Sequence, residues 1–389
     1  MSNPTSTEAA ALIPLLQAFV QFPSQQTDLQ ESDPEVQAFI RECAGPRLAA
    51  LGLDIEYDDM GNLIATAGPA DAERSLMFVG YAMTHPAARM QNPFAAELID
   101  TPRGQAVRGR GVAEQKTALA AAIGAVEGFL AQGKPQGRLV FTLLTAGETG
   151  RHDAIASVMQ RLARPPQYAV VCIGTDSKVA LGNKGRIDFD VVVGGKTSHS
   201  SVPWEGVNAI AGACRVISQL ESLDLGVPDH PAFGPATLTP TAVSSSPRAT
   251  HTVPDTVRVT YDRRLLPGEA PQKALAAIQA ALKPQAPWTL ECELGPVMYP
   301  NELSTDSRFY KHLDAAYRKV TGDSAPGFYC NFALDAGYFS RSGIPAIMLG
   351  PGEVAQFHSS EEQVLVEDLV RMSKVYYALI EDCLSGPAA

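Results

Sequence analysis

The chain has 389 residues, 45% hydrophobic and 19% charged, enough apolar material for a large core spread over two or three domains. A formal net charge of −11 argues against nucleic acid or an anionic membrane as partner, and no apolar run reaches the roughly 18 residues that a spanning helix needs. The first eight residues lack a basic-then-apolar leader, and six scattered cysteines (Cys43, Cys172, Cys214, Cys292, Cys330, Cys383) form no Cys-x-x-Cys pair, so free thiols in a cytoplasmic protein are expected.

Apolar spacing of i, i+3, i+4 predicts helices over 8–22 and 34–51. Strands follow at 55–57, 63–67 and 75–80, with Asp59-Met60-Gly61-Asn62 turning between the first two. Arg108-Gly109-Arg110-Gly111 then makes a tight turn, Glu114 stands at a helix mouth, and an alanine-rich helix runs over 115–131. A carboxylate there lies near backbone N–H groups and can be aimed into a cleft; it can equally be an ordinary helix-start acid. A strand at 138–144, a helix at 153–163 and a strand at 168–172 continue the alternation. That alternation predicts an α/β fold, a mainly parallel sheet with helices on both faces. Function in such sheets gathers at the carboxyl ends of strands, which here are the loops 80–86, 145–150, 173–177 and 350–358.

The middle of the chain differs. A strand at 184–193, a helix at 206–220, strands at 236–244 and 256–263, a helix at 269–282 and a strand at 288–294 give the β-α-β-β-α-β order of a two-layer α+β module. Helix–strand alternation resumes with a helix at 306–321, a strand at 346–349 and a helix at 361–384. The division expected is a catalytic domain at 1–183 and 294–389, interrupted by an inserted α+β domain at 184–293.

Short motifs recur along nearly the whole chain: Gly80 to Pro86; Gly109-Arg110-Gly111 with Glu114 and Lys116; Glu148-Thr149-Gly150; Ser198-His199-Ser200-Ser201-Val202-Pro203 with Gly206 and Asn208; Val253-Pro254 followed by Asp262 and Arg264; and Gly350-Pro351-Gly352 followed by His358. In this order and spacing they resemble the M20 family of metallopeptidases and amidohydrolases, which includes aminoacylases, carboxypeptidases and deacylases. The resemblance implies a zinc-exopeptidase-like fold, a dimerisation or lid role for the inserted domain, a homodimer and a small-molecule substrate.

The family pairs two zinc ions bridged by an Asp, a position taken here by Glu114. By the resemblance, Glu148 and His358 complete the cage of one ion, while the other ion's remaining ligands fall on Tyr81 and Thr175, which are not ordinary zinc ligands. The implied cofactor is therefore one divalent ion, zinc or manganese, on Glu114, Glu148 and His358, with Asp176 a candidate to reach in beside Thr175. Two more positions depart. Met83 replaces the Asp that orients the lost histidine, and Gly147 replaces the Glu that activates water; glycine accepts no proton.

Replacement proton carriers are His85, in the first loop, and His251, before Val253-Pro254. His199 matches the histidine that, in dimeric relatives, polarises the scissile carbonyl. Tyr81, Arg264, Gly350 and Gly352 are assigned to substrate contact, with two alternatives open: Arg264 pairing with an acid, and Tyr81 filling the lost ion's space. His152, His230 and His312 read as exposed structural residues, and Cys172 and Cys330 as buried, inert thiols. The expected activity is M20-type hydrolysis of a non-peptide C–N bond in an activated amide, a cyclic amide or an aromatic amine. The rivals are a metal-independent enzyme on the same scaffold and a non-catalytic small-molecule binder.

Overall fold

The computed structural model describes residues 4–283 and 286–385. They form two compact units, one from the chain up to Gly182 with Glu302–Tyr329 and Tyr338 onward, the other from Asn183–Asn301 and Cys330–Gly337. Among the described residues no helix is long and apolar enough to cross a membrane.

In chain order the strands are β1 (Asp54–Tyr57), β2 (Leu63–Ala67), β3 (Ser75–Tyr81), β4 (Glu97–Thr101), β5 (Gly104–Arg108), β6 (Arg138–Leu144), β7 (Tyr168–Cys172), β8 (Val179–Asn183), β9 (Gly185–Gly194), β10 (Ser198–His199), β11 (Thr237–Ser246), β12 (Thr252–Val253), β13 (Thr256–Leu265), β14 (Thr289–Met298), β15 (Asn301–Glu302), β16 (Gly327–Cys330), β17 (Ala346–Leu349) and β18 (Gln363–Leu365). The main sheet of the first unit runs β1-β2-β6-β3-β7-β17-β8. Its centre, β6, β3, β7 and β17, is parallel. The flanking pairs β1–β2, β2–β6 and β17–β8 are antiparallel. Every residue of β3 and of β7 is buried, as near-continuous apolar strands are when helices cover both faces. The helices Thr117–Leu130 and Val366–Ser385 pack together in this core, and Phe78 of β3 meets Phe141 at 6.3 Å and Tyr376 at 5.4 Å between ring centres.

The outcome of the parallel centre is that β3, β6, β7 and β17 end on one edge, so the loops after Tyr81, Leu144, Cys172 and Leu349 gather there. One of them is anchored from the opposite direction. Asp58 accepts hydrogen bonds from the Met60 and Asn62 N–H groups at 3.0 and 2.9 Å and from the Asn62 amide at 2.7 Å. Asn62 Oδ1 in turn accepts from Thr145 N at 2.8 Å and Thr145 Oγ1 at 3.0 Å. The turn after β1 therefore pins the first residue beyond β6, where the loop bearing Glu148 begins.

Several boundaries differ from the periodic reading. The 34–51 segment is three pieces, Pro34–Ala38, a π-helical Phe39–Ala44 and Gly45–Ala50. The helix after Gly111 opens with a π-helical turn, Val112–Lys116, before Thr117–Leu130. The last helix starts at Val366, because Gln363–Leu365 is drawn into strand pairing with β5. The β4–β5 hairpin and β8 have no counterpart in the pattern-based reading.

The second unit is an antiparallel sheet in the order β11-β13-β9-β14, with the helices Ala209–Glu221 and Pro271–Ala281 on one face. Along β9 and β13 burial alternates strictly, so Ile187, Phe189, Val191, Val257, Val259 and Tyr261 face the helices. The other face carries Arg258 between Asp190 and Glu293, both at 2.6 Å. Asn208 caps the first of these helices by accepting from Ile210 N at 2.9 Å, which is why the helix starts later than Gly206.

Asn62→Leu keeps the volume but leaves Asp58 Oδ2 and the Thr145 N–H and hydroxyl without the Asn62 amide. It is expected to lower stability by about 2–4 kcal/mol, read as a lower urea midpoint at unchanged slope; an unshifted midpoint would show that the turn does not anchor the loop.

Candidate functional site

Glu114 is presented by backbone geometry before it is presented by its own side chain. Gly111 has φ +81°, a left-handed conformation that glycine adopts freely, and a Cβ on Gly109 would run into Val20. The turn delivers the chain into Val112–Lys116. The acid that satisfies this helix mouth is not Glu114 but Glu362. Its Oε2 accepts from Gly111 N at 3.0 Å and its Oε1 from Ala113 N at 2.9 Å and Glu114 N at 3.3 Å. Arg110 pairs with the same carboxylate at 2.8 Å, each side chain 1% exposed. Lys116, fully buried, donates to Phe19 O at 2.7 Å and Phe22 O at 2.8 Å, so it closes the end of the first helix, Pro4–Gln21. Burial pushes its ammonium pKa down to about 7.

With the helix mouth already capped, the Glu114 carboxylate is free to face Glu148 and His358. His358 Nε2 lies 3.2 Å from Glu114 Oε2 and 3.5 Å from Glu148 Oε2. One ligand atom from each of the three residues falls within 4.8 Å of the others. Glu148 is oriented by Gln115, whose Nε2 donates to Glu148 Oε1 at 2.8 Å, and its main-chain carbonyl accepts from Gln26 Nε2 at 3.2 Å. His358 sits at φ +60°, a conformation unusual for a side-chain-bearing residue and concentrated at functional sites. Burial, opposed by the hydrogen bond to His358 and reinforced by the charge of Glu148, raises Glu114 to about 7. Hydrogen bonds to Glu114 and then Glu148 raise His358 to about 10. The two carboxylates together favour the charged form of the imidazole. Two oxygen donors and one imidazole nitrogen at this mutual distance suit a single divalent ion, so the donor set fits the cofactor expected from the sequence.

His85 lies against the same centre. Its ring stacks on that of His358 with centroids 3.9 Å apart and planes 16° off parallel. Its Nδ1 is 3.0 Å from Pro86 O, and a carbonyl only accepts, so Nδ1 carries the hydrogen and Nε2 keeps the lone pair in the neutral ring. Burial first, and the neighbouring His358 second, lower its pKa and favour that neutral form.

The sequence pattern of peptidase family M20/M25/M40 matches residues 84–382. The chain belongs to this family. It is 28% identical over 359 residues to succinyl-diaminopimelate desuccinylase 2 of Shewanella loihica, covering 86% of this chain and 92% of that one. Among solved structures it resembles the M20 family metallo-carboxypeptidase Sso-CP2 of Sulfolobus solfataricus, with TM-score 0.76 and 16% identity over 96% of this chain and 98% of that one. It also resembles an aminopeptidase of Bacillus cereus, with TM-score 0.73 and 19% identity over 96% and 98%. These likenesses show the zinc-exopeptidase fold, and the M20 relatives are hydrolases of C–N bonds.

Within this M20 fold the departing positions are packed shut. Tyr81, Met83 and Thr175 are buried, at 2%, 0% and 0% exposure. Thr175 Oγ1 both donates to Gly350 O at 3.1 Å and accepts from Gly350 N at 3.0 Å, so it latches the loop after β17. Asp176 turns the same way, its Oδ1 accepting from Val354 N at 2.8 Å and its N–H donating to Gly352 O at 2.9 Å, which commits it to the loop. Gly350 and Gly352 are buried, and a Cβ on either would collide with the Ile173 or Ala113 carbonyl, so their smallness lets the loop dock. At Gly147 a Cβ would collide with Met83 O, so the position has no room for a side chain.

In the second unit His199, on β10, and His251, just before β12, are both exposed, with rings 5.8 Å apart. Ser201 N donates to His199 Nδ1 at 3.2 Å, which leaves the hydrogen of the neutral ring on Nε2. Arg264 grips Asp262 through both carboxylate oxygens at 2.8 and 2.9 Å, the acid pairing of the two alternatives. His152 is buried at 7%, not exposed, because it packs against Tyr338 with ring centres 5.6 Å apart. His312 bonds Asp382 at 2.6 Å, and His230 caps a turn by accepting from Ala232 N at 3.2 Å.

Glu362 and Gln115 were missed by the sequence reading. The signal for Glu362 was its place four residues after His358, masked because Glu361-Glu362 looks like an ordinary acidic helix start. Gln115 had none beyond adjacency to Glu114.

Gly147→Glu is expected to lower stability by about 1–3 kcal/mol through overpacking and to add no turnover; a thermal melt equal to wild type would contradict the closed loop. Cys172 and Cys383 are raised by burial to about 12 and Cys330 is raised likewise, whereas Cys214 is exposed. An aromatic disulfide reagent on the native protein is therefore expected to label Cys214 first and to spare those three, with Cys214→Ala removing the fast phase.

Proposed function

We propose that this chain is a single-metal M20 hydrolase that opens a non-peptide C–N bond in an activated amide, a cyclic amide or an aromatic amine. The observation that carries the reading is the convergence of Glu114, Glu148 and His358 on one point. Zinc or manganese there would be held by these three side chains and supplies, when bound, positive charge that polarises a carbonyl and acidifies water. His85 takes up a proton at Nε2 and returns it to the departing nitrogen, the part that Gly147 cannot play. By the family resemblance, His199 of a partner protomer is assigned to stabilise the negative charge that grows on the carbonyl oxygen, and His251 is the alternative proton carrier. The second unit contributes the dimer contact, and the enzyme works in the cytoplasm. The desuccinylase relative supports an amide of a small acid as the substrate class, and the sealed Gly147 supports a bond easier to break than a peptide.

A metal-independent reading has one observation in its favour: His358 Nε2 lies within 3.5 Å of both Glu114 and Glu148, so an imidazolium there offsets part of their charge without an ion. The two separate cleanly. Metal content by mass spectrometry and calorimetric binding of zinc and manganese are measured alongside hydrolysis of a panel of N-acyl, N-carbamoyl and cyclic amides. Glu148→Ala is expected to weaken metal binding by at least about 10-fold. His85→Ala is expected to bind metal like wild type while losing about 10²–10⁴ in kcat. Turnover that survives a chelator in a metal-free sample would overturn the single-metal mechanism.

A further inference from the structure

We propose that Glu362 is a positioning residue for the metal centre, tying the segment that carries His358 to the backbone that presents Glu114 and so setting the spacing of the two ligands before a cation arrives. The inference rests on the single-metal reading.

Glu362 lies four residues after His358, just before β18. Its two carboxylate oxygens accept from three N–H groups of the Glu114 turn, Gly111 N, Ala113 N and Glu114 N, and from Arg110 Nη1. Its carbonyl accepts from Gly109 N at 3.2 Å, and the next residue, Gln363, pairs with Arg108 of β5. Main chain and side chain thus hold the same partner from Arg108 to Glu114. Arg110 extends the tie: its Nη2 donates to Ala87 O at 3.1 Å, two residues beyond His85. One buried ion pair joins three segments, each carrying a side chain of the candidate centre. A carboxylate meets this demand because it is acceptor-only at both oxygens, whereas an amide offers an acceptor at one end and a donor at the other.

The test compares Glu362→Gln and Glu362→Asp with wild type and with Leu48→Ala, a core truncation in the same unit away from this turn. Apparent melting temperature is read in chelator, and zinc and manganese affinity by calorimetry below the melting range. Expected is a loss of affinity of about 10- to 100-fold for both Glu362 variants, while Leu48→Ala loses melting temperature but keeps wild-type affinity. A residue that served folding alone would behave like Leu48. If wild type binds the ions and both Glu362 variants bind within twofold of it, this inference falls and the metal reading stands; if wild type binds neither ion, both fall. Should the variants not fold, hydrogen exchange of wild type decides. Added manganese is expected to protect 109–116 and 358–363 together, and protection confined to 358–363 would overturn the proposal.

Discussion

Two carboxylates, Glu114 and Glu148, are held almost out of water and face one another, and the first unit is arranged around keeping them there. Like charges at this depth repel and resist ionisation, which is why burial and the neighbouring carboxylate lift Glu114 toward neutrality. A positive partner relieves both effects, and His358 supplies it in the chain itself. A group so disposed is strongly biased toward a multivalent cation, because the ion replaces an imidazolium proton with more charge at the same point. The packing around the site enforces the crowding: Gln115 restrains Glu148, and Glu362 spares Glu114 from capping its own helix.

The scaffold meets that demand through strand direction. A parallel centre sends the ends of β3, β6, β7 and β17 to one edge, so His85, Glu148 and His358 arrive from different strands at a common place. The loop after β7 brings Thr175 and Asp176 and spends both on the β17 loop. Around these strand ends Tyr81 and Met83 are buried, Thr175 latches the β17 loop, and Gly147 has no space for a side chain.

Much of this was readable from the residues. Periodicity located the parallel strands and the four end loops, because each strand is an uninterrupted apolar run between turn residues. Motif order pointed to Glu114, Glu148 and His358, which the fold then brings together. What escaped depends on tertiary pairing that no local pattern encodes. The 363–365 stretch has the composition of a helix start and becomes a strand only because β5 offers an edge. His152 stands in a polar stretch and is buried by Tyr338, which comes from far along the chain. Gly147 could be read as a missing base, but that the place is filled by the Met83 carbonyl emerges only in three dimensions.

The contact between Arg110 and Glu362 spans 252 residues of chain, and the second unit is inserted between its ends. Closing so long a loop carries an entropic penalty that local contacts cannot offset early, so such pairings form late. On the single-metal proposal, the cage is complete only once residues from both sides of the insertion have joined, and metal choice falls to a cavity already shaped by Arg110 and Glu362.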